Sequence, residues 1–121
     1  MMIRGIKFVT VPVRDQEKAL KFYTEKLGFQ IRTDQPLGDQ RWIELGIPGA
    51  ETELVLFTSP GHEVLIGQFQ PLVFWSNDVP KSYKEMSAKG IEFLGPPKTE
   101  DWGTSAMFKD MDGNQFLLSS K

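Results

Sequence analysis

The chain has no cysteine, one histidine and no surplus of positive charge. Without Cys there is no thiol catalysis, no thiolate metal site and no disulfide, which agrees with a reducing compartment. One His, His62, cannot build a histidine-rich metal site by itself. The 14 basic residues are interspersed with 16 acidic ones, for a net charge of -2. A nucleic-acid surface needs clustered Lys and Arg, so a nucleic-acid partner is not expected. No apolar run approaches the roughly 20 residues that span a bilayer, and Met1-Met2-Ile3-Arg4 runs straight into a strand pattern instead of a signal peptide. The expectation is a cytoplasmic protein with no membrane partner. With 121 residues, 40% of them hydrophobic, the chain suits a single domain with its own core.

The most sharply defined stretch lies near the end. Two period-two strands flank Asp112-Gly113-Asn114, residues that tolerate positive φ, so the chain reverses there into an antiparallel hairpin. Alternation puts Ala106, Phe108, Phe116 and Leu118 on one face and Ser105, Met107, Gln115 and Leu117 on the other.

Earlier in the chain, Ile6–Val13 reads as a strand and Asp15 as a helix N-cap with Glu17 in the first turn. Ala19, Leu20, Phe22, Tyr23 and Leu27 follow at helical spacing up to the stop at Gly28. Phe29–Thr33 should be a second strand, Gln35–Asp39 a loop, and Arg41–Gly46 and Glu53–Phe57 two further strands. The polar stretch Thr58–Glu63, broken by Pro60-Gly61, is a connector. The pattern then restarts, with a strand at Pro71–Trp75, an N-cap at Asp78, a helical stripe of Val79, Tyr83 and Met86, and a stop at Gly90. Ile91–Leu94 and the closing hairpin supply the remaining strands. Cap and stop recur at offsets of 63 and 62 residues, which predicts a duplicated βαβββ unit: module 1 over about 1–58, a connector over about 59–69 and module 2 over about 70–121.

Val13-Arg14-Asp15, Ala19-Leu20-x-Phe22-Tyr23-x-x-x-Leu27-Gly28-Phe29, Asn77-Asp78-Val79, Gly90-Ile91-x-Phe93 and Phe108-x-Asp110-x-Asp112-Gly113-Asn114 together resemble the vicinal oxygen chelate superfamily. That superfamily includes glyoxalase I, bleomycin-resistance proteins, fosfomycin-resistance enzymes and extradiol dioxygenases. Met111 stands where the family usually has Pro. The resemblance implies an α+β fold of two tandem βαβββ modules, a U-shaped, barrel-like mixed sheet cup with helices outside, and often a homodimer. Its enzymes carry His, Gln or Glu metal ligands at four strand positions. These fall here on Phe8, on Val55 or Glu53, on Pro71 and on Leu117. At most one of these is a ligand, and a divalent ion needs three or more, so neither a metal nor another cofactor is expected. His62, in the connector, is expected to be a solvated loop residue.

Strand parity assigns Val9, Val11, Ile43, Leu45, Leu54, Leu56, Leu72, Phe74, Phe108, Phe116 and Leu118 to the helix side. The other side receives Phe8, Thr10, Trp42, Glu44, Val55, Phe57, Val73, Trp75, Ser105, Met107, Gln115 and Leu117, with Trp102 at its rim. These thirteen residues are the candidate ligand-binding set, and their flat rings favour planar or cationic small molecules. Alternatively they fill the space as a second core. Glu44 is the candidate catalytic group: desolvated, its pKa would rise and it could serve as a base or hold a cation. Its other expected role is an ion pair with Arg41 or Arg32. The leading expectation is a metal-free protein that binds a small aromatic or cationic molecule. The competing one is a lyase or dioxygenase-type enzyme that uses Glu44 or a metal held by ligands not mapped here.

Overall fold

The computed structural model describes residues 2–121 and divides them into two compact units, which meet between Ile66 and Gly67. The fold is α+β, and each unit carries a four-stranded mixed sheet. In the first unit the strands are β1 (Phe8–Val11), β2 (Gln30–Leu37), β3 (Gln40–Gly46) and β4 (Glu53–Leu56), ordered β1-β4-β3-β2. In the second they are β5 (Phe69–Trp75), β6 (Lys98–Glu100), β7 (Gly103–Lys109) and β8 (Gln115–Ser119), ordered β5-β8-β7-β6. In each unit the first strand pairs parallel with the last and the other pairs are antiparallel. This shared order matches the repeat read from the punctuation.

Both helices begin where the caps predict. Asp15 accepts hydrogen bonds from the backbone N–H groups of Glu17 and Lys18 and opens α1 (Gln16–Lys21). Asp78 accepts from Lys81 N–H and opens α2 (Val79–Ala88), with Pro80 in the first turn, where no N–H is needed. Gly28 and Gly90 end the two helical segments at φ 76° and 86°, in the left-handed region that side chains with a Cβ avoid. The first segment is not uniformly α-helical. It widens to a π-helix over Phe22–Lys26, where the Thr24 hydroxyl bonds back to the Leu20 carbonyl and both Phe22 and Tyr23 are buried.

Of the residues assigned to the helix side, Val9, Leu72 and Phe74 are half-buried, and Val55, assigned to the other side, is fully buried. Val11, Ile43, Leu45, Leu54 and Leu56 are fully buried, as is Phe116, while Phe108 and Leu118 are nearly so. Phe74, Phe93, Phe108 and Phe116 form one aromatic cluster in the second unit. The closing turn is held by side chains. Asp110 accepts from the N–H groups of Asp112 and Asn114 and from the Asn114 amide, whose own oxygen accepts from Gly67 N–H and Gln70.

Several boundaries differ from the sequence expectation. The predicted loop Gln35–Asp39 is mostly strand: β2 runs on to Leu37 and turns only at Gly38-Asp39, because an edge strand tolerates Pro36 and exposed polar residues. Ile91–Leu94 is not a strand; a Phe93–Phe108 bridge and the Glu92–Lys109 ion pair join it to β7. The strand in that place is Lys98–Glu100, beyond Pro96-Pro97. β1 is shorter than Ile6–Val13, and β5 begins at Phe69 instead of Pro71.

Candidate functional site

In the first unit, parallel pairing sets Phe8 beside Glu53 and Thr10 beside Val55, and antiparallel pairing sets Val55 beside Glu44. Alternation therefore brings Phe8, Thr10, Trp42, Glu44, Glu53 and Val55 to the sheet face opposite the buried one. The rings meet there. Phe8 packs edge-on to Trp42 at 5.5 Å between centroids, and Trp42 lies 5.2 Å from Phe57. All three are partly exposed, Val55 is fully buried and Thr10 is exposed.

The Trp42 indole N–H donates to Glu44 Oε1 at 2.9 Å. This bond, aided by one from Glu53, holds the Glu44 carboxyl below the usual carboxylate range. The same contact pushes the Glu53 carboxyl up, because a proton kept on Glu53 can be donated to Glu44; burial and the repulsion of the Glu44 charge act in the same direction. The expected rise of the Glu44 pKa is therefore reversed, since hydrogen bonding outweighs desolvation. Its expected ion pairs are not made either. Arg41 instead grips Asp34 through two nitrogens, at 3.0 and 2.6 Å, and reaches Glu17 at 2.8 Å.

Glu53, which the sequence offered only as an alternative metal-ligand position and not in the candidate ligand-binding set, shares the parity of Val55 and Phe57 and lies on the same face. Its pairing with Glu44 required the strand register. Along the adjoining edge, a hollow of about 480 Å³ is lined by Arg4–Lys7 and Glu51–Glu53.

The second unit carries the remaining candidates. Val73, Leu117 and Met107 form one cross-strand row, and Trp75, Ser119 and Ser105 the next. Gln115 pairs with Phe69 and Lys109. Trp75 is 78% exposed and Trp102, on the β6–β7 turn, 58%. Both border a hollow of about 380 Å³ together with Val73 and the backbone end of β8.

The positions that the resemblance assigns to metal ligands hold Phe8, Val55 or Glu53, Pro71 and Leu117. This set supplies at most one oxygen donor and does not fit a divalent ion. Among the described residues, no three His, Cys, Asp or Glu side chains converge as a metal-holding group. His62 is exposed and leads the short 3-10 turn Glu63–Leu65. No helix is long and apolar enough to cross a membrane.

The family model described as Glyoxalase/Bleomycin resistance protein/Dioxygenase superfamily matches residues 5–118. The chain belongs to this superfamily. It is 43% identical over 118 residues to the Bacillus subtilis protein YetH, covering 97% of this chain and 98% of that one. Among solved structures, a superfamily member from Sphaerobacter thermophilus superposes with a TM-score of 0.89 at 33% identity, over 100% of both chains. TnmS3, an antibiotic binding protein from Streptomyces sp. CB03234, superposes with a TM-score of 0.87 at 37% identity, over 99% of this chain and 98% of that one.

Proposed function

We propose that this superfamily member binds a small, flat molecule without needing a metal and without transforming it, and that the ligand lies on the Phe8–Trp42–Phe57 face of the first module. The observation that carries the proposal is the ring array itself. Three aromatic side chains in mutual contact remain partly open to solvent, and Trp42 is held in place by its hydrogen bond to Glu44. A ring fixed before the ligand arrives loses little conformational freedom on binding. The antibiotic-binding relative TnmS3, similar over almost the whole chain, supports the same class of function. Val73, Trp75, Trp102, Ser105, Met107, Gln115 and Leu117 belong to the second module and form a separate candidate surface there.

Cytoplasmic location and a homodimer are part of this proposal. β1 and β5 are edge strands of their sheets, and open edges invite a two-fold partner. Light scattering at micromolar concentration should give the mass of two chains, and the mass of one would exclude the dimer. Binding is tested by Trp fluorescence and thermal shift against a panel of flat aromatic compounds on EDTA-dialysed protein. Saturable quenching with a rise in melting temperature is expected. The absence of both across the panel would refute the binding function.

A second function is favoured by one observation, the two adjoining carboxyls whose proton affinities are pushed apart. Such a pair is the usual make-up of an acid–base catalyst, and would serve a lyase-type reaction. Recovery of the bound compound unchanged after prolonged incubation argues for binding alone, whereas a new product would establish the enzyme.

A further inference from the structure

We propose that Asp112-Gly113 is a self-modification site, a peptide link that closes to a succinimide and reopens as isoaspartate, and that the closing turn of the second unit holds this reaction off. No other Asp or Asn in the sequence is followed by Gly. The fold needs glycine at this point, because residue 113 has a φ of 79°, in the left-handed region that side chains with a Cβ avoid. Glycine is also the residue whose amide nitrogen is least shielded from the carboxyl before it, since no side chain hinders the approach. The turn that the backbone requires is thus the weakest link chemically.

In the first step the Gly113 nitrogen attacks the Asp112 carboxyl carbon: an N–C bond forms, and the amide proton and the carboxyl hydroxyl leave together as water. Water then opens the cyclic imide at either carbonyl. One opening restores Asp, and the other routes the main chain through the side-chain carbon and leaves isoaspartate, longer by one methylene. No co-reactant but water is required, and Asp112 and Gly113 are only half-buried. The turn withholds the geometry instead. Gly113 N–H donates to the Asp110 carbonyl at 3.0 Å, so the nucleophile is engaged. The N–H groups of Asp112 and Asn114 both donate to Asp110 Oδ1, at 2.9 and 3.0 Å, which fixes the backbone on either side. The Asp112 carbonyl oxygen comes within 3.5 Å of where a Cβ would stand on Gly67, so the peptide plane between residues 112 and 113 turns only if Gly67 gives way. Gly67 is itself held by Asn114 Oδ1 at 2.7 Å. Once isoaspartate forms, its extra methylene keeps Asn114 from returning to Asp110, and the opened turn is trapped.

The test is ageing of the full chain at mildly acidic pH, folded and in denaturing urea, followed by tryptic digestion and chromatography of the peptide 110–121. Isoaspartate changes the retention of that peptide without changing its mass, and electron-transfer fragmentation assigns it to residue 112. It should form at least roughly tenfold more slowly in the folded chain than in urea, the ratio given by a turn that is open less than about a tenth of the time. Asn114→Ala removes the side-chain hold on Asp110 and Gly67. This variant should form isoaspartate several-fold faster than wild type when folded and at the wild-type rate in urea. Thermal melting checks that it folds; if it does not, the wild-type comparison decides alone. No isoaspartate at residue 112 in urea overturns the site. Equal rates in folded and unfolded wild type overturn the guard, as does a folded Asn114→Ala chain that ages no faster than wild type.

Discussion

Asp110 and Asn114 are tied together three times: through Asn114 N–H and the Asn114 amide to the Asp110 carboxylate, and through Asp110 N–H to the Asn114 carbonyl. Asn114 is fully buried, and its side-chain oxygen also holds Gly67 N–H, so the closing turn anchors the start of the second unit's first strand. Asn114→Ala keeps the two backbone ties but removes the side-chain bonds to Asp110, Gly67 N–H and Gln70. It should cost about 2–3 kcal/mol in urea unfolding, and a loss below about 0.5 kcal/mol would show that the turn is held by other means.

Gln16 plays the corresponding part in the first unit. Its amide donates to the carbonyls of Arg41 and Leu56 and accepts from Arg41 N–H, joining the start of α1 to β3 and β4. Gln16→Leu is expected to destabilise by about 1–3 kcal/mol, since the strand groups it serves lose their partners. Amide exchange at Arg41 should speed up accordingly; unchanged protection there would contradict this role.

Arg41 holds the Asp34 carboxyl below its ordinary value, chiefly through their hydrogen bonds. A carboxyl lowered in the folded state contributes stability that is present above its unfolded pKa and is lost as pH falls through the folded one. Asp34→Asn should therefore lower the melting temperature at pH 7 by a small amount, as partly exposed pairs contribute about 0.2–1 kcal/mol. At pH 2–3 the gap from wild type should close, and a gap that persists there would rule out the charge as its origin.

Glu53 has the opposite sign. Its carboxyl is raised by the contact with Glu44, so the folded state binds the proton more tightly than the unfolded chain. The stability from this group is present at low pH and declines as pH rises from the unfolded value through the folded one. Glu53→Gln should remain folded and stabilise the protein at neutral pH relative to wild type, with the advantage vanishing near pH 4. A variant less stable than wild type at pH 7 would contradict the shared-proton arrangement.

The parts of the fold that were legible in the sequence are those fixed locally. Asp15, Asp78, Gly28, Gly90 and Gly113 each perform a backbone task that few residues can do, and period-two alternation matches the burial of Ile43 and Leu45 around the half-buried Glu44. The misread stretches lack such signals. β2 is a polar edge strand through Asp34, Gln35 and Pro36, with no apolar face to mark it. Ile91–Leu94 has the apolar pattern of a strand, but Phe93 packs its ring against Tyr83 and Phe108 and the segment makes only one bridge. At the site, parity found Phe8, Trp42 and Glu44. The sign of the Glu44 shift depended on the indole two residues away and on Glu53 one strand over, contacts that only the register and rotamers define.

Trp42→Phe keeps an aromatic ring and removes the indole donor, so the Glu44 carboxyl should titrate at higher pH than in wild type. Carbon-detected NMR titration of the Glu side chains reads this directly. A Glu44 pKa that does not rise would mean that the indole bond is not what holds it down.

The three tryptophans make the location of the ligand directly measurable, because each indole N–H gives its own proton–nitrogen NMR signal and Trp42 lies in the first unit while Trp75 and Trp102 lie in the second. Titrating EDTA-dialysed protein with 1-naphthylmethylammonium, with the Trp42 signal assigned from Trp42→Phe, should shift that signal saturably and leave the other two nearly in place. Shifts confined to Trp75 and Trp102, or no shift in any of the three, would contradict a ligand site on the Phe8–Trp42–Phe57 face.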